Sequence, residues 1–253
     1  MVSIVTPVFN SQKYISECIN SVINQTYANW EHILVDDCSS DQSEAIIKSY
    51  QEKDPRIKYF KLKKNSGAGV ARNKAIELAE GKYVAFLDSD DIWAQDKLEK
   101  QIDFMVKHNI PFSYTDYFVI KDNAKLPLYL VSAPSKVNYG KMLRNDYIGC
   151  LTAIYDISYF GKTYMSKIRK RQDWVLWLQL LKKVDFAYCL KMPLAYYRIG
   201  NQSLSKNKFK LVSHNFNVYR KELNYSFFVS CCLMGIFFMA YFYYKLTSKK
   251  SVT

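Results

Sequence analysis

The chain has 253 residues, of which 49% are hydrophobic, so it can bury one large core or one domain with a small appendage. Its 36 Lys and Arg residues outnumber 23 Asp and Glu residues, and the net charge of +13 favours an anionic partner: nucleotide phosphates, an acidic membrane surface or nucleic acid. The six cysteines form no CxxC pair, which indicates neither a zinc nor a thioredoxin-like site and predicts buried free thiols in a reducing compartment.

Strands and helices alternate through the first part of the chain. Apolar and β-branched runs predict strands at residues 2–6, 33–35, 57–62 and 83–87. Apolar residues at helical spacing predict helices at residues 14–23, 41–51 and 70–79. This alternation predicts an α/β fold with a mainly parallel sheet and helices on both faces.

The second part of the chain is less regular. The pattern predicts a helix at residues 95–108, a strand at 112–120 and a helix beginning at Gln172. The pattern of residues 193–205 predicts a short strand followed by a polar loop. Residues 121–145 have no regular pattern, and we expect binding loops there, since long irregular stretches in compact domains often bind ligands.

An acidic motif, Asp88-Ser89-Asp90-Asp91, follows the predicted strand 83–87 directly. Ligands bind at the carboxyl ends of strands in open α/β sheets. If the backbone stays extended, the side chains of Asp88 and Asp90 leave on one face and can share a hard cation. The alternative is a turn and helix N-cap, because Asp and Ser are the usual capping residues.

The glycines of Gly67-Ala68-Gly69 do not form a dinucleotide-binding motif. Arg72 occupies the third glycine position, and the segment follows the third predicted strand rather than the first. We therefore reject an NAD site. The glycines instead predict a tight entry into a helix whose N-terminal amides face an anion.

Asp173 lies at the predicted start of a helix, directly after a basic run that ends at Arg171. An acid at that position is ordinarily a capping residue. Its position alone therefore leaves capping and catalysis both open.

The C-terminal segment 225–244 contains no charged residue. As a helix, 20 residues span ~30 Å, about the thickness of a bilayer core. Basic residues flank both ends, so the positive-inside rule gives no orientation. A single span, a re-entrant segment and an interfacial helix stay open, and so does a buried dimerisation helix. No signal sequence is recognisable at the N-terminus, so we expect the folded part to face the cytoplasm.

Five segments together resemble the inverting family 2 glycosyltransferases: residues 2–10, 21–26, 35–37, 67–73 and 86–93. The resemblance implies a GT-A fold, a nucleotide-diphosphate sugar donor and a divalent cation, Mn²⁺ or Mg²⁺. With it we divide the main domain into a nucleotide-sugar-binding half (1–110) and an acceptor and catalytic-base half (111–215). The apolar C-terminal segment, which the resemblance does not cover, makes residues 216–253 a membrane-associating tail.

The resemblance also implies roles for individual residues. Thr6 and Pro7 match the loop that lines the nucleotide, Asp37 matches the acid that contacts the base, and Arg72 lies near the donor. Asp88 and Asp90 match the metal and ribose motif, with Asp90 the more direct ligand. Asp173 matches the catalytic base, although Gln172 precedes it where many relatives have a second acid.

The implied reaction is the transfer of one sugar, from a UDP-sugar by preference, to a membrane-linked glycan. The processive members carry a Gln-x-x-Arg-Trp motif and several membrane spans, and neither is found here. Basic charge and the apolar tail point to a polyprenyl-diphosphate-linked acceptor in surface polysaccharide, O-antigen or lipopolysaccharide synthesis. We expect the protein at the cytoplasmic face of the inner membrane, held by residues 225–244.

Other interpretations are weaker. A non-catalytic nucleotide-sugar-binding protein is the main alternative, and intact carboxylates at Asp88, Asp90 and Asp173 argue against it. Nucleic-acid binding rests on charge alone, without a recognisable binding motif, and we expect no nucleic-acid partner. A sugar-phosphate nucleotidyltransferase needs a glycine-rich loop that is missing after residues 2–6.

Overall fold

The structure, a computed structural model, describes residues 1–122, 126–199 and 208–251. The strands are β1 (Val2–Val8), β2 (Trp30–Asp36), β3 (Ile57–Lys61), β4 (Tyr83–Phe86), β5 (Ile92–Trp93), β6 (Phe112–Lys121), β7 (Tyr129–Val131), β8 (Lys136–Val137), β9 (Ile154–Asp156), β10 (Ala187–Ile199) and β11 (Lys249–Lys250). The helices are α1 (Ile15–Ile23), α2 (Ser43–Gln51), α3 (Ala68–Leu78), α4 (Lys97–Lys107), α5 (Tyr139–Arg144), α6 (Ile157–Phe160), α7 (Gln172–Leu181), α8 (Lys208–Asn217) and α9 (Phe227–Thr247). A π-helical turn at Val218–Glu222 connects α8 to α9. The predicted polar loop beyond Ile199 falls largely outside the described residues.

The first four strands form the parallel sheet that their sequence predicts. They lie in the order β4-β1-β2-β3, and each neighbouring pair is parallel. β1, β2 and β4 are buried along their whole length. β4 is accordingly apolar throughout, whereas β1 and β2 also bury polar residues such as Glu31 and His32. The chain moves outward from β1 to β3 and then returns to the other side of β1. The switch point between β1 and β4 is where such sheets bind ligands.

Beyond β4 the sheet becomes mixed. β9 pairs antiparallel with both β4 and β6, whereas β10 pairs parallel with β6 and antiparallel with β5 and β8. The α/β class is thus confirmed, but the sheet is parallel throughout only in the first half, and in the second half the β6–β10 pair alone is parallel among the described strands. Residues 121–145 are also more regular than predicted, since they include β7, β8 and α5. Elements of two to six residues are too short to show a periodic pattern.

Two apolar cores cover the two faces of the sheet. One core takes its helical residues from α1, α2 and α4, including Ile19 and Leu98. The other takes them from α3, α5, α7 and α9, and Trp174 and Trp177 of α7 are completely buried in it. Successive strand residues point to opposite faces, so Ile4 joins the first core and Val5 the second.

Helix α9 packs one of its faces against the second core. Ser230, Met234 and Phe237 are buried, and the Phe237 ring centroid lies 5.5 Å from that of Trp174. Within the described residues, α9 is the one helix long and apolar enough to cross a membrane. The prediction that the six cysteines are buried is right for Cys18 and Cys189, right only in part for the half-buried Cys38 and Cys150, and wrong for Cys231 and Cys232, which are exposed on α9. The cysteines are free, as predicted.

Candidate active site

The loops that follow β1 and β2 are tied together at the carboxyl edge of the sheet. The amide of Asn10 donates to Ser39 Oγ at 3.0 Å, and Asn10 Oδ1 accepts from the amide of Ser40 at 2.9 Å. The hydroxyl groups of Ser11 and Ser89 lie 2.7 Å apart, which joins the loop after β1 to the acidic motif after β4. Three strand ends therefore form one connected surface beside the switch point.

The acidic motif is a turn. The Asp91 amide donates to the Asp88 carbonyl at 3.0 Å, so the backbone does not stay extended as the sequence argument assumed. The turn interpretation is therefore right. The capping interpretation is wrong, because α4 begins only at Lys97 and its N-cap position is Asp96.

Arg72 connects the acidic turn to the start of α7. Its Nη2 donates to Asp88 Oδ1 at 2.5 Å, and its Nη1 donates to Gln172 Oε1 at 3.4 Å. The guanidinium is buried, and its Nε has no hydrogen-bond partner among the residues that the structure describes. The Asp88 carboxylate stays partly exposed, which leaves its other oxygen accessible to a ligand.

Asp90 presents its carboxyl group to the solvent at the tip of the turn. The protein around the turn removes part of the water from this group, and this desolvation together with the negative charge of Asp88 raises the pKa of Asp90 to about 6. Two nearby carboxylates with unused oxygens fit a hard divalent cation, whose bound charge would relieve their repulsion. Within the described residues, no three His, Cys, Asp or Glu side chains are placed so that together they could hold a metal ion. These two carboxylates alone would not fill the coordination shell of such a cation.

Asp91 is a structural acid that the sequence analysis did not single out. It is buried, and its Oδ1 accepts from the Arg198 amide at 2.8 Å. The Arg198 side chain donates to the Asp90 carbonyl at 2.9 Å and to Glu17 Oε2 at 2.5 Å. β10 and α1 thereby fix the acidic turn in place. Burial and the neighbouring carboxylates raise the pKa of Asp91 well above its ordinary value.

Asp37 holds the entry to α3. Its two carboxylate oxygens accept from the amides of Ser66 and Gly67 at 2.6 and 2.7 Å. Gly67 has a φ of 94°, a conformation that glycine adopts without strain. The tight entry predicted from the glycines is therefore present, and Asp37 is built into it.

Thr6 and Pro7 lie inside β1 and are buried. The Thr6 hydroxyl is 2.8 Å from Nε2 of His32 on β2, and burial lowers the pKa of His32 to about 3. The side chains of Thr6 and Asp37 are thus already engaged within the protein. Their contacts with a nucleotide stay a prediction.

The start of α7 is held from two sides. Arg171 precedes it in a left-handed conformation with a φ of 67°. Its Nε donates to Asn215 Oδ1 at 2.7 Å, and its Nη1 donates to Asp146 Oδ2 at 3.3 Å. A non-glycine residue with this φ is strained and persists only where its surroundings fix it.

Asp173 lies in the first turn of α7 and is not its N-cap residue, a position that Arg171 occupies. Its Oδ1 accepts from the adjacent Trp174 amide at 2.9 Å. The charge of Asp173 acts on both Arg72 and Asp146. Burial and this charge raise the pKa of Asp146 to about 8. Asp173, Arg72 and Asp88 therefore lie around one site, with Asp146 behind them.

The chain is similar to known proteins over most of its length. The family described as "Glycosyl transferase family 2" matches residues 3–169. The putative teichuronic acid biosynthesis glycosyltransferase TuaG of Bacillus subtilis is 45% identical over 221 residues, covering 87% of this chain and 88% of that protein. An Escherichia coli enzyme, the UDP-Glc:alpha-D-GlcNAc-diphosphoundecaprenol beta-1,3-glucosyltransferase WfgD, is 40% identical over 219 residues, covering 86% and 85%.

Solved structures share the fold at lower identity. Staphylococcus aureus TarS 1-349 in complex with UDP-GlcNAc gives a TM-score of 0.71 at 22% identity over 95% of this chain and 72% of that one. The mannosyltransferase PcManGT from Pyrobaculum calidifontis, in complex with GDP-Man and Mn²⁺, gives 0.68 at 14% identity over 98% and 70%. The GT-A-like fold expected from the resemblance is confirmed, and the chain belongs to glycosyltransferase family 2.

Proposed function

We propose that this protein transfers one sugar, with inversion and without processivity, from a UDP-sugar to a polyprenyl-diphosphate-linked glycan in surface polysaccharide synthesis. The observation that carries the proposal is the Arg72 contact, which joins Asp88 to the helix turn that bears Asp173. Donor-side acids and a candidate base thereby lie around one space, as a single displacement requires.

The names of two close relatives support the choice of substrates. TuaG is named for teichuronic acid biosynthesis, and WfgD for the transfer of glucose from UDP-Glc to GlcNAc-diphosphoundecaprenol. Each covers more than four fifths of this chain, including the acidic turn and Asp173. A UDP-sugar and a lipid-linked acceptor are therefore the substrates that we assign here.

On the donor side, Asp88 and Asp90 would hold Mg²⁺ or Mn²⁺ between the protein and the diphosphate. When bound, such a cation stabilises the charge that develops on the leaving nucleoside diphosphate. The acidic turn is fixed by Arg198, so Asp90 needs little reorganisation to take this role. Thr6, Pro7, Asp37 and Arg72 would border the nucleotide within the donor half, residues 1–110.

On the acceptor side, Asp173 would act as the general base. Inversion needs a carboxylate on the face of the sugar opposite the leaving group, where it takes the proton of the attacking hydroxyl. Asp173 lies in the first turn of α7. In this proposal it belongs to the acceptor half, residues 111–215, and would face the donor. No covalent sugar–enzyme intermediate is formed in this displacement.

The tail, residues 216–253, would hold the enzyme at the cytoplasmic face of the membrane. The exposed face of α9 carries large apolar side chains, among them Phe228 and Phe242. A lipid-linked acceptor is confined to the membrane, so this attachment would bring enzyme and acceptor together.

The test measures release of nucleoside diphosphate by the purified protein with Mn²⁺, a panel of nucleotide sugars and a polyprenyl-diphosphate-linked acceptor. We expect nucleoside diphosphate to be released from one donor, and we expect EDTA to abolish that release.

Asp173→Asn should lower turnover by ~10²- to 10⁴-fold and leave donor affinity nearly unchanged, because a general base acts on the chemical step. Asp90→Ala should instead weaken metal-dependent donor binding.

The outcomes separate the alternatives. Release from no donor, with acceptor present, would favour the non-catalytic nucleotide-sugar-binding protein. Wild-type turnover in Asp173→Asn would remove Asp173 as the base. An unchanged metal requirement in Asp90→Ala would remove Asp90 as a metal ligand.

A further inference from the structure

An open groove of about 600 Å³ lies between α5 and α9, outside the acidic turn and the α7 start. α5 contributes Lys141 and Arg144 to one wall. α9 contributes Met239, Ala240 and Tyr243 to the other. A cationic wall thus faces an apolar wall across one cleft.

The cations of this groove have no acidic partner. No Asp or Glu lines it, and within the described residues neither Lys141 nor Arg144 forms an ion pair. Partial burial lowers the pKa of Lys141, since the surrounding protein removes water from its ammonium group. An adjoining groove of about 320 Å³ shares Lys141 and adds Lys250, again without an acid. The combined surface is therefore suited to an anion that carries more than one charge.

The opposite wall is unusually exposed for apolar side chains. Met239 is 68% exposed and Tyr243 is 72% exposed, and both project from the same side of α9. Leu246 extends this apolar stripe toward the end of the helix and is 83% exposed. A small anion would leave this wall unused, and a hydrocarbon would leave the cations unused. A ligand with an anionic head and an apolar chain uses both.

One wall of the groove, α5, packs against the start of α7. The indole Nε1 of Trp174 donates to the Met142 carbonyl of α5 at 2.7 Å. Past the end of α5, Asp146 accepts from Arg171, which stands two residues before Asp173. A head group bound beside α5 would therefore bring a sugar attached to it toward the candidate base.

We propose that the α5–α9 groove binds the diphosphate and the adjoining isoprene units of the lipid-linked acceptor. Lys141 and Arg144 contact the phosphates, and Met239 and Tyr243 contact the chain. The inference rests on the proposed function for the class of acceptor, and it adds the place where that acceptor is held.

Binding is tested by titration calorimetry of the full chain in non-ionic detergent, with farnesyl diphosphate, farnesol and inorganic pyrophosphate as probes. EDTA is present so that no cation holds a diphosphate at the acidic turn. We expect farnesyl diphosphate to bind more tightly than either of the other probes. Lys141→Gln/Arg144→Gln should weaken it by about 10- to 100-fold, the usual effect of losing hydrogen bonds to a charged group.

Two further variants serve as controls: one removes positive charge away from the groove, and the other changes the apolar wall alone. Lys53→Gln/Lys107→Gln removes the same charge from exposed positions away from the groove and should bind farnesyl diphosphate as the wild type does. Tyr243→Ser changes an exposed side chain that the fold does not need, and it should weaken farnesyl diphosphate but not pyrophosphate. Absent binding to the wild type, or equal binding by Lys141→Gln/Arg144→Gln and the wild type, would overturn the proposal.

Kinetics separate this inference from the proposed function. In the active enzyme, Lys141→Gln/Arg144→Gln should raise KM for the lipid-diphosphate acceptor about tenfold or more and leave KM for the donor unchanged. Transfer to a soluble glycoside that lacks a diphosphate should not change. An active wild type with an unaffected double variant overturns the groove and leaves the function standing. Groove-dependent farnesyl diphosphate binding without any sugar transfer would support the groove while the proposed function fails.

Discussion

Gly69 lies close against the side chain of Gln172, the neighbour of the candidate base. A Cβ atom at residue 69 would lie 2.6 Å from Gln172 Cδ, well inside van der Waals contact. The amide of Gln172 cannot move away freely, because its Nε2 donates to the Ile168 carbonyl at 2.5 Å and its Oε1 accepts from Arg72. Gln172 stands where many relatives have an acid, and here it packs as a neutral group against the helix that carries Arg72.

We therefore predict that Gly69→Ala displaces Gln172 and, with it, the adjacent Asp173. Turnover should fall by about tenfold or more, since small displacements of a catalytic group are costly. The free energy of unfolding should fall by ~1–3 kcal/mol because the added methyl group overpacks the site. Turnover and urea unfolding measure the two effects.

Gly235→Ala is the matched control for this change. A Cβ atom at residue 235 meets nothing within 4 Å, and the residue lies inside α9. Alanine there should be neutral or stabilise by up to ~1 kcal/mol, the helix preference of alanine over glycine. Wild-type turnover in Gly69→Ala would mean that Gln172 can repack without moving Asp173.

We predict that the free energy of unfolding depends on pH through His32. It is completely buried and has a pKa of about 3, whereas the same residue in the unfolded chain has a pKa of ~6.5. Between those values the unfolded state binds one more proton than the folded state, so stability falls as the pH falls through that window. Relative to His32→Gln, the wild type should lose ~1.4 kcal/mol per pH unit below pH ~6.

Urea unfolding of both proteins from pH 7 to pH 4 checks this. Asp90 and Asp146 have raised pKa values and act with the opposite sign over part of the range. Because both proteins contain them, their effect cancels in the difference. Parallel stability curves for the wild type and His32→Gln would show that His32 accepts a proton while folded.

At the residue scale, the sequence located the acids but not what holds them. Asp88, Asp90 and Asp173 were recognisable because each occupies a strand end or a helix start in a familiar motif. Arg198 could not be linked to Glu17, since 181 residues separate them along the chain. Nothing in the sequence indicated that Asp146 lies near the candidate site, because its pairing with Arg171 forms only when α5 and α7 pack together.

At the scale of elements, the length of each helix or strand determined whether it could be predicted from the sequence. The amphipathic α1 and α4 were located within about two residues of their observed ends, as their periodic patterns allow. The short β7 and β8 were missed, because their existence depends on pairing with β6, β10 and β11. Such pairing is a tertiary contact, which local sequence does not encode.

The side of α9 that packs inward was also beyond the sequence. The segment is apolar around its whole circumference, so composition does not distinguish one face from another. In the structure, both ends of α9 return to the same domain. The Ser132 amide donates to the Ser248 carbonyl at 2.9 Å beside β11, and the Tyr225 amide donates to the Tyr219 carbonyl at 3.0 Å before the helix.

These hydrogen bonds at both ends of α9 favour an interfacial helix over a membrane span. A spanning helix would separate its ends by ~30 Å across the bilayer and place them on opposite sides. A helix that packs along the domain, with β11 paired to β7, keeps both ends on one side. Of the arrangements that the sequence left open, we infer that α9 lies in the plane of the interface, with Phe237 inward and Phe242 outward.

At the scale of the whole molecule, a net charge of +13 and the exposed face of α9 act together. We predict that the full chain floats with phosphatidylglycerol vesicles more completely than with phosphatidylcholine vesicles. Added salt should weaken this binding, because ions screen the attraction between Lys or Arg side chains and anionic lipids. Density-gradient flotation at two salt concentrations measures both effects.

Two phenylalanines of α9 separate membrane binding from folding. Phe242 is 59% exposed, so Phe242→Ser should lower flotation and leave urea unfolding nearly unchanged. Phe237 is 3% exposed and touches Trp174, so Phe237→Ala should cost ~3–5 kcal/mol of stability.

If α9 lies in the interface, both ends of the chain stay on the same side of the membrane. We therefore predict that tags at the two ends are both cleaved by protease added outside vesicles. Protection of the C-terminal tag alone would mean that α9 crosses the bilayer and leaves its place beside Trp174.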